Sequence, residues 1–163
     1  MLKPVYLKII NIKISIFRYK IHLTAMKHLI YQFVKQHLLG VISTANKDNT
    51  PEAALVGIAV SEDLEIIFDT VTTSRKYHNI LQNPQVALVI GWDNETTLQY
   101  EGRATVLGDD TEAESLREIY FKAYPDGKDR IKTMPGLVHI KVTPRWLRYS
   151  NFNHPQIIEE IAF

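Results

Sequence analysis

The chain has 163 residues and a formal net charge of +1, with 45% hydrophobic and 23% charged residues. This composition is typical of one globular domain and excludes a disordered or fibrous protein, while the low net charge argues against a dedicated nucleic-acid binder. The sequence contains no cysteine, which excludes disulfides, thiolate metal sites and cysteine nucleophiles and is typical of a cytoplasmic protein.

Positive charge is concentrated in the leader, residues 1–25, which carries a net charge of +5, so the other 138 residues carry −4. Basic residues interrupt every apolar run in the leader, and it predicts neither a membrane span nor a secretion signal. Isoleucines alternate with polar residues from Ile10 to Ile16, a pattern that suits a strand. The leader is also rich in residue types that AT-rich codons encode. We therefore favour Met26 as the native start and 26–163 as the folded domain.

The first elements after the leader are a helix and strands. Apolar residues at helical spacing predict a short amphipathic helix from Met26 to about Leu38, with Thr24 as its candidate cap. Clusters of turn residues then separate three predicted strands, which are 40–45, 53–60 and 64–70.

A second helix and a hairpin are predicted next. The helix covers about two turns, 74–82, and ends before Asn83-Pro84 because the residue that precedes a proline avoids the α region. Strands 86–92 and 97–108 follow around a short polar turn and form a predicted hairpin.

The last third of the chain contains one further predicted helix. Thr111 and Glu114 form a capping box that predicts a helix over 112–124, and the polar stretch 125–136 is predicted as a loop. Two strands, 137–142 and 145–150, are followed by a short tail. Six or so short strands with tight turns and few helices favour a mainly β fold, a small antiparallel barrel.

Familiar catalytic motifs do not occur in the sequence. The six histidines are scattered, and no pair has metal-ligand spacing on one helix face, so no metal site is predicted. The sequence also lacks a P-loop, a dinucleotide glycine fingerprint and a nucleophile elbow. No catalytic side chain can be named, and the chemistry of an enzyme built on this chain would belong to a bound cofactor.

The stretch 70-TVTTSRK-76 is the candidate anion site. It precedes a predicted helix, whose N-terminus has unpaired backbone N–H groups and a partial positive charge. Thr72 and Ser74 add hydroxyl groups, and Arg75 and Lys76 add cations, which together suit a phosphate. A capped helix followed by solvated basic residues has the same local pattern, and by itself this pattern favours capping.

The surrounding order of segments favours the phosphate. The motif T-x-x-x-S-R-K-x-x-x-[IL]-x-x-N-P is matched by Thr70, Ser74, Arg75, Lys76, Ile80, Asn83 and Pro84. With the strands 102-GRATVLG-108 and 143-TPRWLRY-149, the chain from about Met26 to Asn151 resembles the FMN-binding split barrel of pyridoxamine-phosphate-oxidase-like proteins. The resemblance implies a six- to seven-stranded antiparallel split barrel that forms a homodimer. It also implies that FMN lies in the groove between subunits, with its phosphate held by residues 70–76.

The chain departs from this family at substrate and cofactor positions. The family's second-strand arginine and lysine, which bind the FMN phosphate and the substrate phosphate, fall at Ala54 and Ala59. Its fifth-strand glutamine falls at Thr97, and Gln99 is the nearest residue on the same face. Its late tryptophan falls at Ser150, and its C-terminal arginine-histidine segment is missing. Oxidation of pyridoxamine phosphate is therefore not expected.

These observations predict a cytoplasmic homodimer that binds FMN and oxidises or reduces a small molecule, with neither nucleic acid nor membrane as a partner. The expected cofactor-binding residues are Thr70, Thr72, Ser74, Arg75, Lys76 and Gln99. Trp92 is expected to pack in the core, with shelter of a flavin ring as the alternative. Two other functions stay open: a non-enzymatic flavin-binding or stress-associated protein, and a cofactor-free dimeric interaction module.

Overall fold

The computed structural model describes the backbone of residues 4–163 and the side chains from Ile12 onward. The first three residues of the leader lie outside this description. Pro4–Gln36 form one helix, α1, so the strand that the alternation from Ile10 to Ile16 suits does not form. Alternation over seven residues is a weak signal when no neighbouring strand pairs with the segment, whereas a helix satisfies its own backbone hydrogen bonds. Which methionine starts the native chain stays a prediction.

The predicted helix from Met26 is the C-terminal part of α1. Its apolar face, formed by Met26, Ile30 and Val34, is buried against the barrel. Thr24 does not cap it, because the Thr24 hydroxyl donates to the carbonyl of Lys20 at 2.9 Å within the same helix. In the part of the chain that the structure describes, we find no helix with the length and apolarity needed to cross a bilayer.

Antiparallel strands form one closed sheet. The strands are β1 (Leu39–Ala45), β2 (Pro51–Val60), β3 (Ile66–Val71), β4 (Gln85–Ile90), β5 (Thr96–Val106), β6 (Leu137–Asn151) and β7 (Ile157–Ala162). Their order is β3-β2-β1-β4-β5-β6-β7, and β3 also pairs with β6, which closes six strands into a barrel and leaves β7 as an extra strand. The expected mainly β, antiparallel split barrel is confirmed.

The long strand β6 joins two predicted strands into one. Its first part, up to Val142, pairs with β3, and its last part, from Trp146, pairs with β7. Pro144 lies between the two predicted strands and has no N–H for a ladder. In the structure it lies opposite Gly102, at a register shift between Glu101 and Gly102, which is where bulges and prolines are tolerated in sheets.

Further helices connect the strands. They are α2 (Arg75–Gln82), α3 (Thr111–Ala123) and α4 (Gly127–Thr133). The capping-box prediction for α3 is wrong in its cap, because Asp110 accepts the N–H of Ala113 at 2.8 Å. The loop predicted for 125–136 contains α4, a helix of seven residues. Such a short helix depends on tertiary contacts, which local sequence does not reveal.

Buried apolar residues form one cluster inside the barrel and another on its outer face. An apolar cluster fills the barrel and includes the buried side chains of α1 and Ile80 of α2. A second cluster lies between the outer face of the sheet and α3, and it contains Ala59, Ile67, Leu116 and Tyr120. The two clusters place α2 at one end of the barrel and α3 along its side.

Candidate functional site

The N-terminus of α2 is capped as the local pattern predicted. Ser74 has extended backbone angles, and its Oγ accepts the N–H of Tyr77 at 3.3 Å. Ile80, one turn later, packs into the barrel core and anchors the helix. The N–H groups of Arg75 and Lys76 belong to the first turn and have no intrahelical acceptor. Capping therefore uses the Ser74 hydroxyl and leaves these two N–H groups for a ligand.

A hydroxyl cluster connects the end of β3 to α2. The buried Thr70 has its Oγ1 2.9 Å from Ser74 Oγ and 3.4 Å from Lys76 Nζ. Among the described residues, no carboxylate lies within ion-pair distance of Lys76. Thr72 lies on the turn that follows, where its N–H donates to the carbonyl of Gly136 at 2.9 Å. The structure thus brings Thr70, Ser74 and Lys76 together, with Thr72 beside them.

A carboxylate that sequence reasoning missed adjoins this cluster. Glu52, on β2, has its Oε1 3.4 Å from Nη1 of Arg75. Asn79 of α2 donates its Nδ2 to Glu52 Oε2 at 3.0 Å and to Thr44 Oγ1 at 3.0 Å. The alternation of β2 could have indicated this carboxylate, because it places Glu52 on the same inner face as Val56 and Ile58. A charged residue on an apolar face requires a polar partner.

The two alanines at the family's cation positions lie in different surroundings. Ala54 is half-buried on the inner face of β2 and packs against the barrel core. Ala59 is buried beneath α3 with Ile67, Leu116 and Tyr120. Alanine at this buried, apolar position supplies no cation for a substrate phosphate.

Gln99 lies apart from the residues at α2. It is exposed on the outer face of β5, opposite Val89 on one side and Arg148 on the other. We define the cross-strand row as the outer-face residues Leu55, Val41, Val89, Gln99 and Arg148, which are successive register partners. Within the described part of the chain, no hydrogen bond or ion pair joins Gln99 to residues 70–76. One chain alone therefore does not bring all six predicted cofactor residues together.

Trp92 is 58% exposed, so its predicted core packing is wrong. The strand expected over 86–92 ends at Ile90, and Gly91 has a positive φ of 66°. The chain leaves the sheet at this glycine, which places Trp92 in the following turn. A local pattern of apolar residues cannot locate such an exit to within two residues.

Two concave surfaces of the described part of the chain lie away from residues 70–76. A groove of about 1110 Å³ lies between α1, α3 and the end of β2. A smaller cleft of about 670 Å³ lies beyond the C-terminal end of α2 and includes Asn83 and Gln85. Neither of these two concave surfaces includes residues 70–76.

A second polar cluster lies beneath α4, on the outer face of β3. Asp69 is the register partner of His139, and its Oδ2 lies 3.3 Å from Nη2 of Arg130. Arg130 also donates to the hydroxyl of Tyr120 at 3.3 Å. Burial raises the pKa of Tyr120 and lowers the pKa of His139, although the Asp69 carboxylate opposes the second shift. The cluster is enclosed and joins α4 to the barrel. Among the described side chains, no group of three or more histidines and carboxylates could hold a metal.

Comparisons with known proteins agree with this architecture. Residues 26–151 match the family model described as pyridoxamine 5'-phosphate oxidase. A Listeria innocua protein provisionally named pyridoxamine 5'-phosphate oxidase is 25% identical, with a TM-score of 0.62 over 76% of this chain and 97% of that one. General stress protein 26 from Bacillus anthracis is 22% identical, with a TM-score of 0.63 over 85% and 98% of the two chains.

The same fold occurs in a heme storage protein. HutZ, a heme storage protein from Vibrio cholerae, is 13% identical, with a TM-score of 0.63 over 71% of this chain and 87% of that one. A search of curated protein sequences found no match. At this identity the similarity to HutZ shows the fold alone, and the ligand has to be argued from the residues of this chain.

Proposed function

This chain belongs to the pyridoxamine 5'-phosphate oxidase family, and on that premise we propose that it is a cytoplasmic FMN-dependent oxidoreductase acting on a small molecule. The observation that carries the proposal is the pair of cations Arg75 and Lys76 at the N-terminus of α2, beside two first-turn N–H groups. A phosphate monoester is bound best by several convergent donors at a helix N-terminus. The absence of cysteine supports a reducing compartment.

The residues at the start of α2 fit the phosphate of FMN. Lys76, held beside the Thr70 hydroxyl, supplies a cation that is free for the ligand. Arg75 is 80% exposed and can reach an incoming phosphate, and Thr72 adds a hydroxyl on the neighbouring turn. Ser74 holds the helix start in place as its cap. Bound FMN would supply the redox chemistry, a hydride transfer, while these residues would anchor and orient it.

We further propose that two copies of the chain form the flavin site together. The cross-strand row begins with apolar side chains, and Leu55, Val41 and Val89 lie side by side on the outer face of the barrel. Leu55 is 59% exposed and Val89 43% exposed, and adjoining exposed apolar side chains suit an interaction surface. Gln99 is next in the row. A second copy packed on this row would therefore bring Gln99 of one of the two subunits to the flavin. This arrangement would also place a wall from the second copy beside residues 70–76.

The substrate that we propose is not a phosphate ester. Ala54 and Ala59 stand where the family resemblance places the arginine and the lysine, and Ala59 is buried among apolar side chains. A dianionic substrate without such cations would lose more hydration than the site could replace. A neutral or weakly charged small molecule is the class that agrees with these residues.

A non-enzymatic flavin-binding protein is the second candidate. It would need the same anchor at α2 and the same dimer, but no shaped substrate site. The contact between Arg75 and Glu52 favours weak or exchangeable flavin binding, since one of the two cations already has a partner. A cofactor-free interaction module is the third candidate, and it would use the apolar part of the cross-strand row alone.

Absorption spectroscopy of the natively purified protein, followed by titration with FMN, tests the proposal. We expect a flavin spectrum, or stoichiometric quenching of FMN fluorescence, and reduction of the bound flavin by a nicotinamide nucleotide or a substrate. Flavin binding without any reduction would support the carrier. A colourless protein that ignores micromolar FMN would support the interaction module, and a Soret band would show that the site takes heme instead.

A further inference from the structure

Glu52 is an unusual residue for its place in the barrel. It lies on the inner face of β2, a face that continues with the buried Val56, Ile58 and Val60. Its side chain is 17% exposed, so the carboxylate is largely removed from water. Such a group must be compensated by hydrogen bonds or cations, and in this structure both compensating groups come from α2.

The two partners of Glu52 hold it with different strength. Asn79 is buried, and its amide donates to Glu52 Oε2 at 3.0 Å and to Thr44 at 3.0 Å. The contact of Arg75 with Glu52 is a single one, 3.4 Å between Nη1 and Oε1, and the Arg75 side chain is 80% exposed. An exposed single contact at this distance contributes little. Asn79 therefore fixes the carboxylate, whereas Arg75 can leave it.

Glu52 also changes the charge balance at the start of α2. Arg75 and Lys76 supply two positive charges, and Glu52 removes one of them. A phosphate monoester carries close to two negative charges at neutral pH, so the site is one charge short of neutralising it. The inner face of β2 adds no cation next to Glu52, because the following residue on that face is Ala54.

From these contacts we propose that Glu52 competes with the FMN phosphate for Arg75. This competitor role rests on FMN binding at the start of α2. Without ligand, Glu52 holds Arg75. An incoming phosphate draws Arg75 away, while Glu52 stays bonded to Asn79. The carboxylate then repels the bound phosphate, which weakens binding and speeds release. Glu52 thus makes FMN an exchangeable ligand of this protein rather than a permanently held group.

The substitution Glu52→Gln tests this role, because glutamine keeps the size of the side chain and an oxygen that can accept from Asn79 but removes the charge. Affinities for FMN and for riboflavin, which lacks the phosphate, are measured by fluorescence quenching, and FMN dissociation is measured by stopped flow. We expect about tenfold tighter FMN binding and slower dissociation, the size of one charge interaction near a protein surface. Riboflavin affinity should not change.

Controls separate this effect from general changes in charge or folding. Glu62→Gln removes an exposed carboxylate from the turn after β2 and should leave FMN affinity unchanged. In an Arg75→Ala background, the gain from Glu52→Gln should persist, because repulsion between the carboxylate and the phosphate does not require Arg75. If Glu52→Gln does not fold, Glu52→Ala is used with the same expected direction.

The outcomes distinguish this inference from the proposed function. If the wild-type protein binds FMN and the Glu52 variants bind it equally or more weakly, the competitor role is wrong and the function stands. An equal gain for riboflavin would show that Glu52 acts on the ring and not on the phosphate, which also overturns the role. If neither wild type nor variants bind FMN, both proposals fail together.

Discussion

Tyr100 on β5 reaches Val142 on β6 through the interior of the barrel, with its hydroxyl 2.7 Å from the Val142 carbonyl oxygen and 3.1 Å from that of Leu64. Burial raises the pKa of Tyr100 far above its usual range, and the hydroxyl stays protonated as a donor. Tyr100→Phe should lower the free energy of unfolding by about 1–3 kcal/mol, because buried carbonyl groups lose their donor. Denaturant unfolding measures this change. An unaltered midpoint would mean that water or the backbone replaces the hydroxyl.

Gly102 creates the space in which β5 and β6 approach each other beside Tyr100. A Cβ at this position would lie 2.6 Å from the Thr143 carbonyl oxygen and 2.7 Å from Cγ1 of Val142. Gly102→Ala should therefore destabilise the protein by about 1–3 kcal/mol, the usual cost of overpacking. Thermal melting is the measurement. Gly108→Ala is the control, since the nearest atom to its added Cβ would be 3.7 Å away, and the prediction is contradicted if both variants melt alike.

His139 should make stability depend on pH. Burial lowers its pKa in the folded protein, and Arg117 and Arg130 lower it further, while Asp69 opposes them. Below about pH 6.5 the unfolded chain binds a proton that the folded protein does not. The free energy of unfolding should fall as the pH drops through this range, by up to about 1.4 kcal/mol per pH unit, until the folded pKa is reached.

His139→Phe is the matched variant for this pH dependence. Phenylalanine keeps an aromatic ring beside Tyr120 and Phe121, which contact the imidazole edge-on, but it cannot be protonated. Denaturant unfolding at several pH values should show a smaller loss of stability in acid for His139→Phe than for wild type. Parallel curves for the two proteins would mean that His139 has the same pKa in both states.

Arg75 and Lys76 should contribute unequally to FMN binding. A charge-assisted phosphate contact contributes about 1.5–3 kcal/mol, so the double variant Arg75→Ala/Lys76→Ala should lose several kcal/mol of FMN affinity. Lys76→Ala alone should cost more than Arg75→Ala, because Arg75 must first leave Glu52. Lys132→Ala, on α4, removes one exposed positive charge as the control for the single variants. Unchanged FMN affinity in the double variant would rule out this phosphate site.

Leu55 should be required for the dimer. Leu55→Lys places a charge in the apolar part of the cross-strand row, where its exposure leaves the fold intact, and we expect a monomer that binds FMN more weakly. Light scattering measures the mass of the particle, and fluorescence quenching measures the affinity. Ile131→Lys, an exposed apolar residue of α4, serves as the control. A Leu55→Lys protein that remains dimeric would place the interface elsewhere.

Much of the fold could be predicted from the sequence because its determinants are local. Alternating side chains located most of the strands, since neighbouring residues of a strand point to opposite faces. The start of α2 was predicted correctly because the capping bond from Tyr77 to Ser74 spans three residues. A local pattern misled where pairing with another strand would have been required. The alternation from Ile10 to Ile16 suits a strand, but this segment is part of the helix α1.

Local patterns were enough to predict the barrel, the helix α2 and its two cations, since hydrophobic period, caps and turns act within a few residues. The place of Glu52 beside those cations could not be predicted, because Glu52 is 23 residues from Arg75 and 27 from Asn79. The pairing of β6 with β3 and the distance of Gln99 from residues 70–76 could not be predicted either. In each case the closure of the barrel brings together side chains that are far apart in the chain, and neither hydrophobic period nor composition indicates such contacts.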